Sequence, residues 1–154
     1  MAQRQTDDNV VRFTEAIVEG EQPPLVEPGS YDFGFMHHKT AYLFGRAPKL
    51  FCYFRIVSLG EYNGLVLCRH YNVKTLASKP RKGGSFKVGW RSDFLREHVT
   101  VLGTPLRLDR LSTAAFSNQI IRGRVATVET DHKGRKIPEP LRYSVIVELL
   151  EAVK

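Results

Sequence analysis

Leu50–Ser58, LFCYFRIVS, then the turn Gly60-Glu61-Tyr62-Asn63-Gly64, then Leu65–Val73, LVLCRHYNV, is the stretch on which the fold of this chain turns. β-Branched and aromatic residues fill both runs, and Asn and Gly tolerate the positive φ that the turn between them demands. The pair predicts an antiparallel hairpin. Upstream, Tyr31–Phe44 is long enough for one bent strand, with Gly34 as a place to coil and Gly45-Arg46-Ala47-Pro48 to turn it. Downstream, Pro80 and Gly83-Gly84 argue against continuous regular structure in Lys74–Gly89, which reads as a flexible basic connector. Ser92 is then a plausible N-cap, and Phe94, Leu95, His98, Val99 and Leu102 recur at helical intervals up to Gly103. Leu108–Ser117 reads as irregular or briefly helical, Ile120–Thr130 as a strand, Asp131–Arg135 as a turn with a basic tip, and Leu141–Leu150 as the last strand.

With 154 residues, of which 42% are hydrophobic and 25% charged, the chain suits one core rather than two. Residues 1–28 stand apart as an arm whose prolines favour extended chain, although Asp8–Gly20 has the spacing of a short amphipathic helix. In the arm Arg4 and Arg12 face Asp7, Asp8, Glu15, Glu19, Glu21 and Glu27, a net −4, which leaves +11 on residues 29–154 of a chain whose formal charge is +7. A body so basic attracts nucleic acid or anionic lipid, and the acidic arm is suited to compete weakly for the same surface or to recruit a protein partner. There is no basic-then-apolar leader and no apolar run of membrane-spanning length, so a soluble cytoplasmic protein without a membrane partner is expected. Cys52 and Cys68 lie in apolar runs and read as free core thiols.

Three strands, a helix and two strands is the element order of the five-stranded Greek-key OB-fold barrel, so the expected class is all-β with one short helix lodged between strands three and four. On residues 31–150 the chain resembles the OB-fold single-stranded-DNA-binding proteins of phages and mobile elements. That resemblance rests on the long first strand with Gly34, the hairpin CYFRIVSLGEYNGLVL, the segment GGSFKVGW before the helix and the strand with its basic turn, IIRGRVATVETDHKGR. It implies sequence-tolerant binding of single strands, DNA before RNA, along strands one to three and the flanking loops, in replication or recombination, with no cofactor and no chemical step.

The residues themselves point the same way. Between Tyr62 and Ser92 the chain carries Arg69, Lys74, Lys79, Arg81, Lys82, Lys87 and Arg91 with no Asp or Glu, interleaved with Tyr71, Phe86 and Trp90. Cations track a phosphate backbone and rings offer faces to bases. Because side chains alternate along a strand, Cys52, Phe54 and Ile56 form one face of the second strand, the natural interior, and Phe51, Tyr53, Arg55 and Val57 the other. The third strand divides into Val66, Cys68 and His70 against Leu67, Arg69 and Tyr71. The expected outward platform is Tyr53, Arg55, Arg69 and Tyr71, since two neighbouring guanidiniums do not bury without carboxylates and neither strand supplies one. Lys74, Lys79, Arg81, Lys82 and Lys87 on the connector, Arg122 and Arg124 on one side of the fourth strand, and Lys133, Arg135 and Lys136 on the last turn enlarge it. Trp90 is expected to pack the start of the helix against the barrel.

Other chemistries have less to stand on. His37 and His38 are neighbours on a strand and project to opposite faces, which is poor geometry for one metal ion. Cys52 or Cys68 with His70 sits in an apolar setting that raises a thiol pKa. Asp32, Asp93, Asp109, Glu129 and Asp131 come from separate segments, weak ground for a metal-dependent nuclease, and Gly83, Gly84 and Gly89 lack the Lys-Ser or Lys-Thr context of a phosphate loop. No catalytic, cofactor or metal residues are expected. A protein-interaction module on the same barrel is the main alternative, and pairing of copies stays open.

Overall fold

The computed structural model of the protein describes residues 16–153. Its long strands are β1 (Gly29–Leu43), β2 (Ala47–Ile56), β3 (Val66–Asn72), β6 (Ile120–Val128) and β7 (Tyr143–Val153); β4 (Thr75–Leu76) and β5 (Phe86–Lys87) are short, and helix α1 spans Asp93–Leu102. The long strands form one antiparallel sheet in the order β3-β2-β1-β6-β7, and β4 and β5 pair separately. Each long strand and the helix lie where the sequence places them, to within a few residues at their ends. Thr113–Asn118 forms a short 3-10 turn before β6. No helix among the described residues is long and apolar enough to cross a membrane. The expected helix over Asp8–Gly20 falls mostly outside the described residues, and its described end, Ala16–Gly20, is not helical. Closer to β1 the chain joins the body: Val26 is buried, with its N–H donating to Ser144 Oγ at 2.8 Å.

Local chemistry sets the helix. Ser92 Oγ accepts from the Leu95 N–H at 3.1 Å, which satisfies one of the unpaired donors of the first turn. Gly103, at φ +83°, ends it by returning its N–H to the Val99 carbonyl at 2.8 Å. Phe94, Leu95, His98 and Val101 face the core, where Phe94 meets Tyr71, Phe86 and Phe116 edge-on at centroid distances of 5.4, 5.3 and 6.4 Å. Phe33, Phe54 and Phe116 complete this ring-rich interior, each with no exposed surface. Burying such a side chain stabilises the fold by about 1.5–3 kcal/mol.

The register of β1 changes partway. Phe33 and Phe35 oppose Ile56 and Phe54, but a bulge at Met36 shifts the pairing so that His37 opposes Tyr53 and His38 opposes Cys52. One extra residue reverses which side chains face inward. His38 and Thr40 therefore turn toward the interior side of the sheet, and His37 and Lys39 outward.

The sheet does not close on itself. Its edge strands β3 and β7 are not hydrogen-bonded to each other, and α1 packs against both. At that junction Glu97, fully buried on the helix, accepts from Arg69 Nε at 3.0 Å and from Arg69 Nη2, from the Tyr71 hydroxyl at 2.8 Å, and from the Leu149 N–H of β7 at 3.0 Å. Burial works against the Arg69 charge, but hydrogen bonds to Glu97 outweigh it and hold the guanidinium above its ordinary pKa. Tyr71 is pushed well above the usual phenol value, first by burial and then by the Glu97 charge.

Removing one member of a buried, hydrogen-bonded ion pair strands the other charge, at a cost of about 3–5 kcal/mol. We expect Glu97→Ala to lower stability by that amount in urea titrations. Arg96→Ala, which removes exposed pairs to Asp93 and Glu148 and a long 3.5 Å contact to Glu97 that Arg69 already satisfies, should cost about 1 kcal/mol or less.

Candidate nucleic-acid interface

Register decides which side chains meet on the outer face. Across β2 and β3, Tyr53 opposes Cys68, Phe51 opposes His70 and Arg55 opposes Val66; across β1 and β2, His37 opposes Tyr53 and Lys39 opposes Phe51. The His37 ring stacks on Tyr53 at 4.8 Å and 24°, and Phe51 stacks on His70 at 6.0 Å and 22°. Lys39 Nζ lies 5.7 Å from the Tyr53 ring centre, within cation–π reach. Lys49, bonded to Asn72, and the exposed Arg55 stand at the two ends of β2 on this face. Phe51 and Tyr53 are two residues apart on one strand and share its outer face, so their Cα atoms are spaced by roughly 6.5–7 Å.

Tyr53 and Arg55 are thus outward as expected, while Arg69 and Tyr71 are not. Cys52 opposes Arg69, which sends Leu67, Arg69 and Tyr71 into the core, where Arg69 is 8% exposed and Tyr71 2%. The carboxylate absent from both strands comes from α1 as Glu97. His37, Lys39, Phe51 and His70 take the places expected for those two. The content of β3 carried this signal: Leu65, Leu67, Tyr71 and Val73 share one parity with Arg69, a mostly apolar set. His37 and His38 do project to opposite faces.

The connector is a docked hairpin rather than a free tether. Thr40 N–H donates to the Arg81 carbonyl at 3.0 Å and Gly83 N–H to the His38 carbonyl at 2.8 Å, so residues 81–83 line the part of β1 that β6 does not reach. His38 Nε2–H donates to the Gly84 carbonyl at 2.8 Å, leaving Nδ1 to accept from Thr113 Oγ1 at 2.6 Å. Gly84 is buried there, and a Cβ on it would run into the Thr40 hydroxyl and lie 3.1 Å from the Arg81 carbonyl. Lys74, Lys79, Arg81, Lys82 and Lys87 are all exposed on this hairpin and its root.

The remaining cations divide by residue type. Every ion pair among the described residues uses an arginine. Arg122 bonds Asp32 at 3.3 Å and lies 3.7 Å from Glu151; Arg124 bonds Glu148 at 3.3 Å, and Arg135 bonds Asp131 at 2.9 Å. These three expected phosphate contacts are therefore engaged within the fold. Arg124, with Arg96, holds the Glu148 carboxyl below its usual range. Lys133 and Lys136 remain exposed on the β6–β7 turn, which His132 brings beside the β1–β2 turn by packing its ring 4.7 Å from that of Phe44. Between Gly34 and Ser92 there are eleven Lys and Arg and a single acid, Glu61.

Trp90 does not pack the helix against the sheet: it is 69% exposed. It lies on the rim of a cleft of about 830 Å³ lined by Phe86, Val88, Phe94, Leu108 and Leu111. Cys52 is buried as expected, whereas Cys68 is half-buried on this outer face beside Tyr53 rather than in the core; both are free, and burial pushes the Cys68 thiol up to about 12. No family model matches the chain, and neither a curated protein nor a solved structure is significantly similar to it.

Gly84→Ala should undock the hairpin. We expect amide exchange at Thr40 and Gly83 to accelerate by hydrogen-exchange NMR while the β6–β7 ladder keeps its protection; equal acceleration across the sheet would contradict this local account.

Proposed function

We propose that this protein binds single-stranded nucleic acid, DNA before RNA, without sequence preference, on an OB-like body. The observation that carries the reading is the outer face of β1–β3, where two stacked ring pairs lie among Lys39, Lys49, Arg55 and Lys82 in a stretch that is nearly free of carboxylates. A single strand needs π-faces for its bases and fixed cations for its phosphates. The two-residue repeat of β2, roughly 6.5–7 Å along the backbone, suits successive nucleotides of an extended strand. The OB-like reading is supported by the order of the long strands, third-second-first-fourth-fifth, with the helix between strands three and four set across the gap between the third and fifth. The β1–β2 turn, at one end of the face, is joined to the β6–β7 turn by the contact of Phe44 with His132. Replication or recombination of a phage or mobile element is the setting that the resemblance implies.

A second reading, a protein-interaction module, is favoured by one observation. Trp90 and Leu108 are exposed on the cleft at 69% and 39%. Exposed apolar clusters commonly mark protein contacts. The two readings separate by substitution, since Trp90→Ser should leave oligonucleotide binding intact if the sheet face carries it.

With four phosphates held by Lys39, Lys49, Arg55 and Lys82, affinity for an oligothymidylate should fall with salt at a log-log slope of about −3, from about −0.7 per contact. Tyr53→Ala and Phe51→Ala should each cost about 1–3 kcal/mol of binding with the fold retained by circular dichroism. Arg122→Ala, whose guanidinium is already paired, should leave the slope unchanged. A flat salt response in fluorescence anisotropy would remove the electrostatic basis of this function.

A further inference from the structure

Lys39 and Lys82 oppose each other across an antiparallel bridge between β1 and the docked hairpin. Like charges placed directly across a ladder destabilise it. No carboxylate among the described residues bonds either lysine or His37, and Glu61, the single acid between Gly34 and Ser92, lies on the β2–β3 turn. The hairpin is nevertheless held in place, by His38, Thr40 and Gly84 on its inner side. Its anchorage thus brings a cation on the hairpin toward a cation on the sheet, two residues from an imidazole stacked on Tyr53. An anion is the ligand that turns this repulsion into attraction.

We propose that His37, Lys39 and Lys82 form a phosphate site in which His37 binds as the imidazolium, so that occupation of the outer face takes up a proton. The site rests on the polynucleotide reading for its natural ligand, a phosphodiester, and on geometry alone for its anion chemistry. The groups that share the outer face with His37 are Lys39 on β1, Lys82 on the hairpin and Tyr53 on β2, with Cys68 on β3 beyond Tyr53; His38, its neighbour in the chain, points to the other face. His38 is engaged by Gly84 and Thr113 on the inner side, and burial keeps Cys68 a neutral thiol. Lys39 and Lys82 thus dominate the field at the ring. In the free protein burial, then Lys82, Lys39 and His38, hold the His37 pKa below its ordinary value, so the ring is neutral at pH 7. A phosphodiester stays anionic across this range, offsets both lysines and accepts the added N–H. Binding therefore raises the His37 pKa. The affinity it contributes is complete below the free pKa and is lost as pH rises through the bound pKa.

The test is an NMR titration of the His37 ring in the full chain between pH 5 and 8, alone, with an oligothymidylate of ten nucleotides, and with inorganic phosphate against chloride at equal ionic strength. We expect the midpoint to rise with either phosphate ligand and not with chloride. Oligonucleotide affinity should fall with rising pH by up to about tenfold per unit. His37→Gln should flatten that dependence, and so should Lys39→Ala with Lys82→Ala. His70→Gln should not, although His70 lies on the same face and its pKa is also lowered, by burial and then by Arg69 and Lys49. A midpoint unmoved by both ligands, or a pH dependence that survives in His37→Gln, overturns the site. If inorganic phosphate shifts the midpoint and no oligonucleotide binds, the anion site stands and the polynucleotide reading falls.

Discussion

Everything in the outer face depends on how the open edge of the sheet is held, and that task falls to one buried carboxylate. Glu97 takes donors from a guanidinium and a phenol on β3 and from a backbone N–H on β7. It thus joins through a side chain two strands that share no ladder. A charge in that position is tolerated because donors reach it from both strands, and an apolar residue there would leave Arg69 buried without a counter-ion. The junction keeps β3 in the phase that points Cys68 and His70 outward and Arg69 inward, and the ring pairs on the outer face follow from that phase.

The cations then sort themselves by chemistry. Every ion pair among the described residues uses the planar fork of an arginine: with Glu97 in the core, with Asp32 on β1 and Glu148 and Glu151 on β7, and with Asp131 in the last turn, while Arg55 and Arg81 enter none and stay exposed. Lysine enters none of the ion pairs among the described residues, and Lys39, Lys49 and Lys82 gather around the aromatic face. A net charge says little about a surface until the engaged cations are separated from the available ones. Here the β6–β7 side is charge-balanced and the β1–β3 side is not.

Apolar alternation identifies the inner face of β2 but not that of β3, and Arg69 is the reason. On β2 the alternation Cys52, Phe54, Ile56 identifies the interior without ambiguity, because all three are apolar. On β3 the same test is spoiled by Arg69 in an otherwise apolar set, and the outward set contains Val66 and Cys68. Arg69 is explained by a carboxylate twenty-eight positions away on a helix, beyond the reach of any pattern within the strand. His37 and Lys39 were hidden by the bulge at Met36, which changes the facing of β1 in mid-strand without a glycine or proline to mark it. Gly34, the expected place to coil, keeps its ladder partner Arg55.

From its sequence alone this protein has its long strands, its helix with the Ser92 cap and Gly103 stop, its basic stretch and the outward facing of Tyr53 and Arg55. These are consequences of local periodicity and turn chemistry, which act between residues a few positions apart. Tertiary structure alone decided the burial of Arg69 against Glu97, the docking of the hairpin onto β1, the pairing of Arg122 and Arg124, and the exposure of Trp90. Each of these depends on contacts between distant segments, where register and the arrival of a partner carboxylate determine whether a given side chain is buried, neutralised or left free.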